Sequence, residues 1–137
     1  MDTRQQLQQL RDTIKNQCRT ILMQYETGSE TVLVTNDTFL SISPNVYTKV
    51  CSLDSNDMTV VNVVFEEGGN LPVHSHDRIE TIYVISGSIT DLVTNKTYTK
   101  GSVYVIPPHV KHHIVSDYAR LTVTWVPAYP GGRIEVE

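Results

Sequence analysis

Residues 68–87 read GGNLPVHSHDRIETIYVISG, and residues 101–112 read GSVYVIPPHVKH. His74 and His76 are one residue apart, so a strand through them would place both rings on one face, because side chains alternate with a period of two. Glu80 is a further even step along the chain, and His112 follows after a hairpin-like connection. Three imidazoles and one carboxylate form a ligand set suited to a borderline divalent metal. The two stretches therefore predict a metal site.

The same residues resemble the two sequence motifs of the cupin superfamily. The matching positions are Gly68-x5-His74-x-His76-x3-Glu80-x6-Gly87 and Gly101-x5-Pro107-x-His109-x2-His112. The metal ligands that the resemblance implies are His74, His76, Glu80 and His112. The resemblance also implies a small jelly-roll barrel over residues 45–127. The second motif departs from the family at His109, where glycine is usual, and at Ser116, where asparagine is usual.

Short runs of β-branched and aromatic residues, separated by turn residues, occupy the chain from residue 31 onwards. The predicted strands are Thr31–Asn36, Thr38–Ile42, Val46–Cys51, Met58–Phe65, Thr81–Ile85, Ile89–Thr94, Val103–Ile106, His112–Val115 and Leu121–Val126. Many short strands at close spacing are typical of an antiparallel sandwich or barrel. A turn at Gly87 and a hairpin at Asn95-Lys96 are expected to lead the chain away, and Gly101 and Pro107-Pro108 are expected to return it, so that His112 lies on a neighbouring strand. We therefore predict an all-β, jelly-roll chain in which residues 1–137 form one domain.

Residues 1–30 are expected to form an N-terminal helical extension. Within residues 3–26 apolar side chains recur on one helical face, at Leu7, Leu10, Ile14, Cys18, Ile21 and Tyr25. Thr3 and Gln6 fit a capping box, and Gly28 fits a helix stop. The pattern predicts an amphipathic α-helix that packs on its own domain or on a dimer mate.

The composition excludes several classes of protein. The net charge is −4 and the basic residues are scattered, which argues against nucleic acid as the partner. No apolar run is long enough to cross a membrane, and the first residues lack the apolar core of a signal peptide, so a cytoplasmic location is expected. Cys18 and Cys51 lie in unrelated segments without a CxxC, which predicts two buried thiols rather than a disulfide framework.

Six further residues are candidates for the lining of a pocket. They are Tyr47, Asn62, Ile82, Tyr104, His109 and Trp125. Ile82 shares the predicted strand face of Glu80, so it predicts an apolar wall beside the metal. For the aromatic residues core packing is the competing interpretation, and for Asn62 it is a structural hydrogen bond. His113 is expected to point away from His112, and Arg78 to face solvent or pair with Asp77.

The ligand set is compatible with one divalent ion of Fe, Mn, Ni, Zn, Co or Cu. Three histidines and one glutamate leave open positions on an octahedral ion, as catalysis requires. We expect a metal-dependent enzyme acting on a small organic molecule, with dioxygenase chemistry favoured because Ile82 stands where a lyase would need a base. The alternatives are a redox-neutral lyase or isomerase and a non-enzymatic small-molecule or metal-binding sensor. No catalytic side chain is identified, and the family resemblance implies a homodimer.

Overall fold

The computed structural model describes residues 2–6, 8–9, 19–20, 30–33, 40–52, 57–130 and 133–137. Within these residues the strands are β1 (Arg19–Thr20), β2 (Glu30–Leu33), β3 (Leu40–Ser43), β4 (Val46–Ser52), β5 (Thr59–Phe65), β6 (Gly69–His74), β7 (Ile79–Asp91), β8 (Lys96–Thr99), β9 (Val103–Ile106), β10 (His112–Ser116), β11 (Ala119–Val126) and β12 (Arg133–Val136).

Ten of these strands form one sheet that curves into a nearly closed barrel, which confirms the jelly-roll prediction. The strand order is β1-β3-β4-β5-β11-β7-β10-β6, and β8 and β9 also pair with β7. The Ser43 hydroxyl of β3 donates a hydrogen bond to the Asn70 carbonyl of β6, which links strands from opposite parts of this order. The remaining two strands, β12 and β2, pair with each other.

The core follows from the alternation of side chains along the barrel strands. On β5, Val61, Val63 and Phe65 belong to the buried apolar cluster. In the first half of β7, the buried side chains are Glu80, Ile82 and Val84, while the intervening Tyr83 is exposed. One carboxylate thus shares an inward face with aliphatic side chains.

β7 continues through Gly87, where the sequence predicted a turn. Gly87 has a φ of +75°, which side chains of L-residues rarely adopt, and a Cβ there would lie 2.1 Å from the Tyr118 carbonyl oxygen. The strand therefore bends at Gly87 without ending. Its first half pairs with β9 and β11, and its second half pairs with β8 and β10. The turn prediction was wrong because glycine also permits a sharp bend inside a strand.

The N-terminal helix differs from its prediction. Residues 3–6 and 8–9 are helical, but Arg19–Thr20 form β1, which pairs in parallel with β3. A single helix over residues 3–26 is therefore wrong at Arg19–Thr20. The apolar residues that defined its predicted face lie outside the described residues. Within the described part of the chain, no helix is long and apolar enough to span a membrane.

Besides β1, three strands were not predicted from the sequence: β6, β8 and β12. β6 contains Gly69, Asn70 and Pro72, all of which are depleted in strands. β8 lies in the hairpin assigned as a turn, and β12 is a short strand at residues 133–136. Tertiary pairing overrides the weak local preference of each segment.

We predict that Gly87→Ala destabilises the fold strongly. The added Cβ meets the backbone at Tyr118, which cannot move without disturbing the turn into β11, so a loss of about 3 kcal/mol or more is expected. Gly101→Ala is the matched control, because Gly101 also has a positive φ of +88° but has nothing within 4 Å of an added Cβ. That variant should lose only about 1–2 kcal/mol. Urea unfolding of both variants measures the difference, and equal losses would contradict the steric account.

Candidate metal centre

Three histidine rings meet at one end of the barrel. His74 is the last residue of β6 and pairs across the strands with His112, the first residue of β10. All three rings are buried, and one ring nitrogen from each of His74, His76 and His112 lies within 4.8 Å of the others. β6 ends at His74, so His76 enters the cluster from the following loop. The prediction that one strand face carries both rings was therefore wrong, although the rings do meet.

Backbone carbonyls orient all three rings. Nδ1 of His74 lies 2.6 Å from the Pro72 oxygen, and Nδ1 of His112 lies 3.1 Å from the Val110 oxygen. Nδ1 of His76 lies 2.7 Å from the Glu135 oxygen. A carbonyl oxygen can only accept, so each Nδ1 carries the hydrogen, and in a neutral ring Nε2 carries the lone pair. Metal-ligating histidines are held by the same kind of outer contact.

Glu80 joins the cluster from β7. Its Oε1 lies 3.8 Å from Nε2 of His76, and its Oε2 lies 3.0 Å from Nε2 of His112. The second contact brings opposite charges together, yet Oε2 has no hydrogen-bond partner of acceptable geometry. The structure thus brings His74, His76, Glu80 and His112 to one place, and it leaves a buried carboxylate oxygen unsatisfied there.

The pKa values show how the cluster shares its charge. Burial alone would raise the pKa of Glu80, but the neighbouring His112 outweighs it and lowers that pKa to about 2. Burial would lower the pKa of His112, but the Glu80 carboxylate outweighs it and raises that pKa. Burial, with His112 and His76 nearby, lowers the pKa of His74 to about 3. Burial also lowers the pKa of His76. The Glu80 carboxylate therefore favours the protonated form of His112, whereas burial disfavours the protonated forms of His74 and His76.

These groups fit a divalent cation. A cation would neutralise the buried Glu80 carboxylate, and it would satisfy Oε2, which has no hydrogen-bond partner. Imidazole nitrogen and carboxylate oxygen suit the ions from Mn(II) to Zn(II). The residues present therefore accommodate the predicted metal without a change in the fold.

The wall beside Glu80 is apolar, as predicted from Ile82. The cross-strand partners of Glu80 are Trp125 on β11 and Ile106 on β9, and both are buried. Ile82 is buried next to them and belongs to the core cluster. The Trp125 ring lies 5.4 Å from the ring of His76, so this residue borders the candidate metal centre.

Two predicted lining residues lie on the opposite face of the sheet. Asn62 is exposed, and its side-chain oxygen accepts a hydrogen bond from the Thr122 hydroxyl at 3.2 Å. Tyr47 pairs with Val64, one residue out of step with the core residues of β5. The expectation that Asn62 faces the barrel interior was wrong, whereas Tyr47 is buried, in agreement with packing as the competing interpretation for the aromatic residues. A polar residue in an apolar strand does not reveal its face when both faces of that strand carry valines.

Tyr104 faces inward, but its hydroxyl group is already bound. The hydroxyl donates a 2.7 Å hydrogen bond to Oδ2 of Asp91, and the ring stacks on Tyr98 at 4.2 Å. Asp91 is fully buried and also accepts from the backbone N–H groups of Val93 and His113. Tyr104 therefore belongs to a satisfied hydrogen-bond network beside the core.

The other two histidines are occupied elsewhere. His109 is exposed, adopts a φ of +66° and places its Nδ1 2.8 Å from the Glu137 carboxylate. Its backbone N–H donates to the His76 carbonyl at 2.7 Å, so it supports the loop of a candidate ligand. Nε2 of His113 lies 2.7 Å from Oδ1 of Asn70. Neither ring joins the buried cluster.

The C-terminal segment contributes residues that the sequence did not indicate. The Glu135 carbonyl holds His76, and it also accepts a 3.2 Å hydrogen bond from the Tyr129 hydroxyl. Tyr129 packs at 6.3 Å from the His76 ring, and the Arg78 guanidinium lies 4.5 Å above the Tyr129 ring. Arg78 forms an ion pair with Asp77 at 2.7 Å, which was one of the two arrangements predicted for it. Every residue has a backbone carbonyl, so the sequence could not indicate the role of the Glu135 carbonyl. That role follows from the position of Glu135 in β12.

Comparison with known proteins finds one matching family model and several solved structures of similar fold. Residues 61–127 match the sequence model of the cupin domain. An RmlC-like cupin from Shewanella frigidimarina is 26% identical with a TM-score of 0.59, over 66% of this chain and 83% of that one. KdgF from a Halomonas species is 22% identical with a TM-score of 0.60, over 66% and 86% of the two chains. A variant of oxalate decarboxylase from Bacillus subtilis is 19% identical with a TM-score of 0.51, over 61% and 26%. The last two likenesses show a shared fold alone, and no curated protein matches the chain in sequence.

The lowered pKa of His74 predicts how acid affects the metal-free protein. Below the ordinary value of 6.5, the unfolded chain binds a proton that the folded chain excludes until the pH approaches about 3. The free energy of unfolding should therefore fall as the pH decreases from 6.5 towards 3. Glu80 acts in the same direction, because its contribution is present above 4.5 and is lost as the pH falls towards 2. His112 acts in the opposite direction, and its contribution is lost as the pH rises through its raised value.

Urea unfolding in EDTA between pH 5 and pH 6.5 measures this slope. His74→Leu should flatten the slope of the unfolding free energy against pH. The variant no longer has the histidine that takes up a proton in the unfolded chain but not in the folded chain. His113→Leu is the control and should keep the slope of the parent. Parallel slopes for all three proteins would contradict the pKa assigned to His74.

Proposed function

Because this chain belongs to the cupin superfamily, we propose that it is a metal-dependent enzyme acting on a small organic molecule. The protein ligands of one divalent transition metal are then His74, His76, Glu80 and His112. The orientation of the rings carries this proposal: three carbonyls hold the three Nδ1 atoms, and two of the Nε2 atoms lie within 4 Å of Glu80 oxygens. Fe, Mn, Ni, Zn, Co and Cu all suit this ligand set.

The chain's own residues then supply a fixed site in a dry environment. A bound ion of this class supplies Lewis acidity towards substrate oxygens and, where it is redox-active, electron transfer with dioxygen. Glu80, His74 and His112 hold their positions because β10 pairs with both β6 and β7, and the Glu135 carbonyl holds the ring of His76. Ile82, Ile106 and Trp125 exclude water from the side of Glu80, which strengthens the electrostatic interactions inside the site.

Dioxygenase chemistry is the reaction type we favour. A lyase or isomerase needs a side chain that takes a proton from the substrate near pH 7. Burial and the neighbouring Asp91 raise the pKa of Tyr104, and burial with Asp77 raises the pKa of Tyr129. Both hydroxyls donate to fixed acceptors, so neither is suited to act as a base. Oxygen chemistry on an enolate or a diol makes less demand on such a base.

Two alternatives have specific support. One similar structure is an oxalate decarboxylase, so redox-neutral chemistry on a carboxylate is the rival reaction. The burial of all four side chains, with β12 and Tyr129 against His76, favours a non-enzymatic sensor that binds a metal or a small molecule. A cytoplasmic location stays a prediction from the sequence.

We predict that freshly purified protein contains one divalent transition ion per chain, and that His112→Ala and Glu80→Ala lose it. Loss of a ligand should cost more affinity than the roughly 10- to 100-fold that loss of an outer contact costs. His113→Ala is the matched control, because this adjacent ring is bound to Asn70 outside the cluster. Elemental analysis and competition with a chelator measure the affinity. Unchanged metal content in His112→Ala would overturn the site.

The metal-loaded protein should consume oxygen with an enolisable diketone or a vicinal diol, and His112→Ala should not. Oxygen uptake with product analysis separates the three functions. Turnover of a carboxylate without oxygen uptake would support the lyase alternative. Tight binding of metal and ligand without any turnover would support the sensor.

We also propose that the chain forms a homodimer through the outer face of β7 and β9. Tyr83, Val103 and Val105 are 40%, 54% and 55% exposed on this face, and Ile85 extends it. Among the described strands β9 pairs only with β7, so it offers a free edge. Exposed apolar patches and unpaired strand edges tend to be buried by another surface. A second copy of the chain presents the same patch, so the two patches can bury each other.

Light scattering during size-exclusion chromatography tests this contact. The parent should elute as a dimer, and Val103→Glu combined with Val105→Glu should elute as a monomer because the charges cannot be buried there. Val93→Glu is the control, because Val93 is similarly exposed but lies in the turn after β7. A monomeric parent, or a dimer that survives both changes, would contradict the proposal.

A further inference from the structure

Two buried polar atoms without hydrogen-bond partners lie on facing residues at the candidate metal centre. They are Oε2 of Glu80 and Nε1 of Trp125. The two residues are cross-strand partners on β7 and β11. Directly opposed residues have Cβ atoms about 4.5–5.5 Å apart, so the two side chains start from neighbouring positions on the sheet, and each has an unsatisfied polar atom.

A purely structural role for this pair is costly. The indole nitrogen is a donor only, and Trp125 is 6% exposed, so water does not supply its acceptor freely. A buried donor without a partner costs about 1–3 kcal/mol. Tryptophan N–H groups in protein interiors usually find a partner. Phenylalanine would fill an apolar wall at this place without that cost.

The surroundings of Trp125 do not provide the missing acceptor. Its ring packs beside those of His76 and Tyr129, at 5.4 Å and 6.0 Å between centroids. The Tyr129 hydroxyl is bound to Glu135 and Asp77, and Nδ1 of His76 is bound to Glu135. Among the described residues, the indole nitrogen therefore remains an unused donor at the border of the metal cluster.

We propose that Nε1–H of Trp125 donates a hydrogen bond to a carboxylate or enolate oxygen of the small molecule that binds at the metal. Trp125 is then a specificity-determining residue that selects ligands with an oxygen acceptor on the β11 side of the site. This inference rests on the proposed function. It assigns the two unsatisfied atoms to two different partners: the carboxylate oxygen of Glu80 faces the cation, and the indole donor faces the ligand.

The chain has one tryptophan, so Trp125 gives a single indole N–H signal. The test uses 15N-labelled protein loaded with zinc, which is diamagnetic, and follows this signal during titration with acetohydroxamate. This probe offers a negatively charged oxygen and chelates divalent ions. Imidazole is the comparison probe, because it occupies a metal position without an oxygen acceptor. The indole proton should move downfield with acetohydroxamate and should not do so with imidazole.

Trp125→Phe tests the same contact by calorimetry. It removes the donor and keeps an aromatic ring, so acetohydroxamate should bind about tenfold more weakly, as expected for one lost hydrogen bond. The affinities for zinc and imidazole should be unchanged, which also shows that the variant is folded. If the variant does not fold, the titration of the parent protein still decides the question.

The possible failures of this inference and of the proposed function are distinct. If zinc and acetohydroxamate bind but the indole signal does not move, the role of Trp125 is overturned and the metal site stands. An equal shift with imidazole would likewise overturn it, because the change would then not report an oxygen acceptor. If the protein binds no zinc, the proposed function fails, and the role of Trp125 fails with it.

Discussion

The close contact between Gly87 and the Tyr118 carbonyl is the constraint on which the barrel depends. It allows one 13-residue strand to bend without ending and to pair with four others. Glu80 lies on this strand, Trp125 lies on its neighbour β11, and His112 lies on its neighbour β10. A turn at Gly87 would separate these residues into two unconnected sheets. The bend therefore brings the parts of the site into register.

The site itself depends on hydrogen bonds that face away from it. Three backbone carbonyls hold the Nδ1 atoms of the three histidines, and two of these carbonyls, those of Pro72 and Val110, lie two residues before their ring. The third comes from Glu135 on β12, which is 59 residues from His76 in the chain. Because each ring gives its hydrogen to the outside, its lone pair is directed to the inside. Preorganisation of this kind removes the need for the rings to reorient when a cation binds.

The distribution of polar groups around the cluster favours separate roles for a metal ion and for the surrounding side chains. Charge is confined to Glu80 and the three rings, and the wall beside them is apolar. The hydroxyl groups of Tyr104 and Tyr129 donate to Asp91, Asp77 and the Glu135 carbonyl, and both pKa values are raised by burial and by these carboxylates. In the proposed function, the chemistry of the site would therefore fall to the bound ion, and in the proposed role of Trp125 its indole would recognise the ligand. In the reaction that we propose, the same apolar wall would keep water away from the reacting groups.

The sequence alone determined the fold class and the four residues of the cluster. The four residues follow from the resemblance of the two histidine-containing stretches to the cupin motifs, and the fold class follows from the many short strands together with that resemblance. Local sequence failed where long-range pairing decides the outcome. β6 has poor strand propensity, β7 passes through a glycine, and Arg19–Thr20 form a strand inside a helical pattern.

The faces of Asn62 and Tyr47, the carbonyl that holds His76 and the unbonded indole of Trp125 were decided only by the tertiary structure. Each of these depends on which strand lies beside which and in what register. A backbone oxygen has the same identity in every residue, and an indole nitrogen has no intrinsic partner. Their roles exist only once the chain has placed them next to residues far away in the sequence.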